Sequence, residues 1–82
     1  MNIQECRDII RKEKLIYYSI FDEHELEPDE VCIRKVNDKF VVFTMSERCS
    51  PIEDSIKEFS NESDALEAFI DRLRATKRLF SE

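Results

Sequence analysis

The chain has 82 residues, of which 41 % are hydrophobic and 39 % are charged, and its formal net charge at pH 7 is −6. This length allows one small domain, residues 1–82, and the periodic apolar positions exclude a disordered chain. No apolar run approaches the roughly 20 residues that span a bilayer, and the first residues do not resemble a secretion signal, so we expect a cytoplasmic protein with no membrane partner.

The cysteines and the charge distribution narrow the class of protein further. The chain has an odd number of cysteines, namely Cys6, Cys32 and Cys49, and no CxxC spacing. This pattern favours thiols in a reducing compartment over a disulfide framework. Residues 16–30 contain six acids and no lysine or arginine, so this segment has a charge of −6, equal to that of the whole chain. A field of that sign repels nucleic acid and attracts basic protein surfaces. We therefore expect a protein partner and no nucleic acid.

The N-terminal third predicts a helix, a strand and an acidic loop. Residues 2–14 show apolar positions at spacings of three and four behind Asn2, a good N-cap, and so predict an amphipathic helix. Residues 16–21 are aromatic and β-branched, which predicts a strand. Residues 22–30 form a loop in which His24 lies among carboxylates. Because a surface loop scatters such ligands into water, we expect no metal site there.

Residues 31–45 predict a β-hairpin, the centre of the sheet. Asn37 and Asp38 tolerate turn geometry and interrupt two runs of β-forming residues. A three-residue turn, which pairs Val36 with Phe40, places Val31, Ile33, Val41, Phe43 and Met45 on one face. A two-residue turn, which pairs Val36 with Lys39, divides them between both faces. We favour the three-residue turn because it gathers the apolar side chains.

The C-terminal half predicts a strand end, a short strand and the longest helix. Glu47 and Arg48 end the third strand, and residues 52–60 predict a short edge strand protected by Pro51 and by charge. Residues 61–80 predict a helix capped by Ser60 or Asn61. The chain contains no glycine, so tight turns need other residues with positive φ, and we expect these to be Asn37, Asp38 and Asn61.

These elements predict an α+β fold in the order α-β-β-β-β-α. The expected architecture is an antiparallel sheet of three to four strands with the N-terminal and C-terminal helices on one face. With the favoured hairpin turn, the other face exposes an apolar patch of Val36, Phe40 and Val42. Such a patch often marks a partner surface.

The sequence gives no sign of catalysis. Cys49 follows Arg48, which could lower the pKa of the thiol, but a nucleophilic cysteine also needs a base, and nothing places the only histidine, His24, nearby. Phosphate-binding glycine loops and metal-ligand spacings are also missing. We therefore expect no enzyme, no catalytic residues and no cofactor.

The order of elements and several short motifs resemble small α+β immunity proteins of bacterial polymorphic toxin systems. That family has a Tyr-Ser pair in its first strand, an aromatic residue opening the second hairpin strand, Glu-Arg-Gly at its end, and Phe-x-x-Glu-x-x-Ala at the last helix. This chain departs by having no tryptophan at the aromatic position and Cys49 in place of the glycine. The matching residues are Tyr18-Ser19, Phe40, Glu47-Arg48, Phe59, Glu62 and Ala65.

The resemblance implies an antidote that binds and blocks a cognate toxin domain. Nuclease toxins have basic clefts, to which an acidic loop would be steered. The partner-binding residues expected from this reading are Asp22, Glu23, Glu25, Glu27, Asp29, Glu30, Glu47 and Arg48. The alternative is a small regulatory or scaffold module that forms a homodimer through Val36, Phe40 and Val42.

Overall fold

A computed structural model describes residues 1–21, 25 and 27–80, and in this part of the chain two helices and four strands follow the order α-β-β-β-β-α. The predicted α+β class and element order are thereby confirmed. The helices are α1, Ile3–Glu13, and α2, Glu62–Phe80. The strands are β1, Tyr18–Ile20; β2, Val31–Val36; β3, Lys39–Thr44; and β4, Lys57–Phe59, which follows a 3₁₀ turn, Glu53–Ser55.

Both helices begin behind a capping asparagine. Asn2 Oδ1 accepts a hydrogen bond from the backbone N–H of Glu5 at 2.8 Å, and Asn61 Oδ1 accepts one from that of Asp64 at 2.8 Å. These bonds satisfy backbone donors that the first helical turn leaves without intrahelical partners. The last turns carry cations that offset the helix dipole, namely Arg11 and Lys12 in α1 and Lys77 and Arg78 in α2.

The two helices are joined near the C-terminal end of α1. Arg74 donates to the Glu13 carboxylate from Nε at 2.9 Å and from Nη2 at 2.6 Å. Lys77 Nζ donates to the backbone carbonyl of Glu13. The hydrogen bonds from Arg74 hold the pKa of the Glu13 carboxyl below its ordinary value. Part of the positive charge on the helices therefore serves to hold α1 against α2.

The sheet is mixed, with strand order β1-β2-β3-β4. The β2–β3 and β3–β4 pairs are antiparallel, as predicted, but β1 pairs with β2 in parallel, with Tyr18 opposite Val31. The physical reason is the length of β1. Three residues span only about 10 Å, a distance that ten residues are long enough to cover, so Val31 can pair with Tyr18.

The hairpin turn has two residues, and the favoured three-residue turn is wrong. Val36 pairs with Lys39, and Asn37 takes up a positive φ of 56° between them. Because side chains alternate along a strand, this one-residue difference moves every side chain of β3 to the opposite face. Phe40 and Val42 consequently face the helices, whereas Val41 and Phe43 face away from them.

Apolar clusters lie on both faces of the sheet. The main core fills the space between the helices and the sheet, and the opposite face, here called the outer face, carries a smaller cluster of Cys32, Phe43 and Met45 with Val41 packed against it. Apolar residues on both faces therefore do not indicate a wrong register in this chain. The buried residues of the main core are Cys6, Ile10, Leu15, Ile20, Val31, Ile33, Val42, Ala65, Leu66, Phe69, Ile70 and Leu73.

Residues 51–59 run back beside β3 and complete one border of the outer face. Pro51 forms an antiparallel bridge with Met45, and the N–H of Ile52 donates to the Thr44 carbonyl at 3.0 Å. The 3₁₀ turn then interrupts the pairing, and Ser55 Oγ accepts a hydrogen bond from the Thr44 N–H at 2.9 Å. A side chain thus satisfies the backbone donor that the interruption would leave unpaired.

Candidate partner-binding surface

The predicted acidic residues fall into three groups. Asp22 and Glu23 lie outside the described residues, as does His24. Glu25 and Glu27 are exposed, and Asp29 is half-buried. Glu30 is only 4 % exposed, and its Oε1 accepts a hydrogen bond from the Glu27 N–H at 3.0 Å. The expectation that Glu30 faces a partner is therefore wrong, because this carboxylate is turned inward and helps to shape the loop.

The structure brings the end of the acidic loop beside Glu47 and Arg48. The N–H of Asp29 donates to the Ser46 carbonyl at 3.3 Å, and the N–H of Met45 donates to the Glu30 carbonyl at 2.7 Å. Glu47 and Arg48 follow directly and are exposed. We call Glu25, Glu27, Asp29 and Glu47 together the acidic surface.

The turn that presents Glu47 is built around Ser46. Its backbone carbonyl accepts a hydrogen bond from the Cys49 N–H at 3.0 Å, and its N–H donates to the Ser50 carbonyl at 2.7 Å. Ser46 Oγ also accepts from the Arg48 N–H at 3.3 Å. Cys49 has a φ of 60°, the left-handed conformation that favours glycine. The position at which the resembling family has glycine therefore keeps that geometry here with a cysteine.

The predicted apolar patch of Val36, Phe40 and Val42 does not exist as one surface. Val42 is 0 % exposed in the main core, and Phe40 packs against that core, with its ring centroid 6.3 Å from that of Phe21. Val36 alone lies on the outer face, where it is 49 % exposed. The error follows from the turn, since the two-residue register exchanges the faces of β3.

The correct register creates a different apolar surface, which the sequence analysis missed. A shallow groove of about 200 Å³ runs across the outer face. Phe43 is buried beneath it, and Val36 and Ile56 are exposed along it. The guanidinium carbon of Arg34 lies 5.7 Å from the centroid of the Phe43 ring, within cation–π range. This outer groove is lined by Arg34, Val36, Val41, Phe43, Pro51 and Ile56.

Charged side chains of both signs lie near the outer groove. A second depression adjoins the groove at the hairpin end, and Asp38 and Glu58 are among its lining residues. There, Glu58 Oε1 forms an ion pair with Lys39 Nζ at 3.5 Å. Glu53 and Asp54 are exposed in the 3₁₀ turn, between Pro51 and Ile56. The charges near the groove are therefore mixed, and its own lining has a single charge, that of Arg34.

Two of the thiols, those of Cys6 and Cys32, are buried. Burial raises the pKa of the Cys6 thiol to about 11, which makes it a poor nucleophile at neutral pH. Among residues 1–21, 25 and 27–80, no group of three or more histidine, cysteine or acidic side chains converges as a metal site would require.

Comparison with known proteins identifies one family. The sequence model of the family described as Immunity protein 59 matches residues 3–79. No curated protein and no solved structure matches the chain. Within the described residues, neither helix combines the length and apolar character that crossing a membrane requires.

Proposed function

The chain belongs to the Immunity protein 59 family, and we propose that it binds a cognate bacterial toxin domain and thereby neutralises it. The family match, which extends over residues 3–79, is the single observation that carries this proposal. Neutralisation by binding needs no reaction on the toxin. We expect the antidote to act in the cytoplasm of the bacterium that makes it, where its cysteines stay reduced.

We further propose that the acidic surface faces the toxin and that the toxin presents a basic surface, as the cleft of a nuclease does. Glu25, Glu27 and Glu47 are exposed, and backbone hydrogen bonds join the two segments that carry them. A cluster of like charges held on a folded surface steers an oppositely charged partner and raises its association rate. Asp22 and Glu23 belong to the same acidic segment of the sequence and are included in the proposal.

The experiment pairs this chain with the toxin domain encoded next to it in its native genome. The two are co-expressed to measure growth, and the purified proteins are mixed to measure the dissociation constant. We expect the wild-type chain to restore growth and to bind. A Glu25→Lys, Glu27→Lys, Glu47→Lys variant should bind at least about tenfold more weakly, since each lost charge pair at an interface rim costs a fraction of a kcal/mol or more.

The matched control is a Glu5→Lys, Glu67→Lys, Asp71→Lys variant, which changes the net charge equally. These three acids are exposed on the helices, on the other side of the sheet from the outer face. If both variants weaken binding equally, overall charge rather than the acidic surface is responsible. A wild-type chain that neither binds nor protects would refute the proposed function itself.

A further inference from the structure

We propose that the outer groove is the apolar centre of the toxin interface and that it receives apolar side chains from a basic region of the toxin domain. This inference rests on the proposed function and specifies the contact that supplies most of the affinity. Val36 is 49 % exposed and Ile56 is 43 % exposed, although both are large apolar residues. They lie together at one groove rather than singly, and clustering of that kind marks an interaction site.

The size of the outer groove favours a protein side chain as its occupant. Its volume is about 200 Å³, below the roughly 300–1,000 Å³ of typical small-molecule pockets. Its composition also matches the centre of a protein interface. Arg34 lies over the ring of Phe43, with Val36 and Ile56 beside them. Arginine and aromatic residues supply much of the binding energy at such centres, and apolar neighbours exclude water around them.

The net charge of the chain favours a basic partner over a second copy of this chain. The charges closest to the groove do not decide the matter, since Arg34 and Lys39 lie there with Asp38 and Glu58. Two copies meeting through this face would bring together two chains that each have a net charge of −6. A basic toxin surface would instead gain attraction from that net negative charge.

The outer groove adjoins the acidic surface. Pro51, which lines the groove, follows directly on the 46–50 turn that presents Glu47. The bridge between Pro51 and Met45 fixes that junction to the end of β3. One partner could therefore cover both, with the apolar groove at the centre and the acidic side chains at the margin, the usual arrangement of a stable interface.

The experiment compares two pairs of substitutions at exposed apolar residues. Val36→Ser with Ile56→Ser alters the outer groove, whereas Ile16→Ser with Leu79→Ser alters exposed residues that do not line it. We expect the groove variant to bind the toxin domain about 30-fold more weakly or worse, as for loss of an interface hot spot. The control variant should bind like the wild-type chain. Circular dichroism and thermal unfolding establish that each variant is folded.

A second measurement needs no substitution. In methyl NMR spectra of the wild-type chain, addition of the toxin domain should shift the Val36, Val41 and Ile56 signals more than those of Ile16 and Leu79. Unchanged toxin affinity of a folded groove variant, or methyl shifts confined to other residues, would overturn the groove proposal and leave the proposed function intact. A dimer of the wild-type chain that the groove substitutions dissociate, with toxin affinity unchanged, would assign the groove to a second copy and also overturn it. Failure of the wild-type chain to bind the toxin would refute both proposals.

Discussion

At the scale of single residues, the absence of glycine lowers the free energy of unfolding, because residues with a Cβ atom must adopt a positive φ. Among residues 1–21, 25 and 27–80, six non-glycine residues have a positive φ between 50° and 65°. Asn37 is one that the sequence predicts, but Asp38 and Asn61 are not among them. A left-handed conformation costs a residue with a Cβ atom about 1–2 kcal/mol. The positions at which this backbone strain occurs are Lys14, Tyr17, Phe21, Asp29, Asn37 and Cys49.

Replacing Cys49 by glycine should therefore stabilise the protein. Cys49 has a φ of 60° in an exposed turn, so removing its Cβ atom relieves strain without opening a cavity in the core. We expect Cys49→Gly to raise the free energy of unfolding by about 1 kcal/mol, part of the gain being offset by the greater flexibility of the unfolded chain. Urea denaturation measures this difference.

Cys49→Ala is the control for that substitution, because it removes the thiol and keeps the Cβ atom. We expect it to leave the free energy of unfolding close to the wild-type value. If the glycine and alanine variants are equally stable, the left-handed backbone at this turn is not the source of the effect.

At the scale of elements, the β2–β3 hairpin decides which side chains are buried. Its two-residue turn places Val42 in the main core and Val36 on the outer face, although both are valines in adjoining strands. Comparing the effects of substitutions at these two valines therefore tests the register of the β2–β3 hairpin. A shift by one residue would exchange the faces of the whole of β3.

Truncation of the two valines should have unequal effects. Val42→Ala leaves a cavity among buried residues and should lower the free energy of unfolding by about 2–3 kcal/mol. Val36→Ala removes a half-exposed side chain and should change it by less than about 0.5 kcal/mol. Thermal or urea unfolding of both variants provides the comparison. Equally small losses for both variants would indicate the three-residue turn instead, because that register leaves both valines on the exposed face.

The hairpin also shows where prediction from sequence ends. Both helices, their asparagine caps and the approximate positions of the strands follow from local signals, namely apolar spacing, capping residues and β-branched runs. The register depends instead on where the second apolar cluster is accommodated. Cys32, Phe43 and Met45 pack on the outer face, beside a segment distant in sequence, and local periodicity cannot reveal that neighbour.

The same limit applies to the candidate site. The composition of residues 16–30 predicts an acidic segment, but not that Glu30 turns inward. Its burial depends on backbone pairing between Glu30 and Met45, which joins distant parts of the chain. The outer groove was missed for a similar reason, because Pro51 and Ile56 join Val36 only after residues 51–59 have folded back beside β3.

At the scale of the whole molecule, charge is unevenly distributed. The acids of residues 16–30 account for the net charge of −6, whereas both helices end in basic residues. Part of that positive charge is engaged between the helices, where Arg74 binds Glu13. Under the proposed function, a basic toxin would be attracted towards this acidic segment.

Salt should therefore slow the proposed association with the toxin domain. The Debye length falls from about 30 Å at about 10 mM salt to about 3 Å at about 1 M, which screens attraction between the approaching proteins. We expect the association rate constant to fall at least about tenfold over that range and the dissociation rate constant to change less. Stopped-flow kinetics measures both.

The Glu25→Lys, Glu27→Lys, Glu47→Lys variant is the control for the salt series. Having lost the steering charges, it should show a weaker dependence of the association rate constant on salt. An association rate constant of the wild-type chain that does not respond to salt would argue against electrostatic steering by the acidic surface.

The lengths of the outermost strands restrict how any partner can attach. β1 and β4 form the two margins of the sheet, and each has three residues. A partner strand added to either edge of the sheet could form only a few backbone hydrogen bonds, too few for stable binding. Such short edges offer little template for edge-to-edge pairing, so we expect a toxin to contact side chains rather than to extend the sheet.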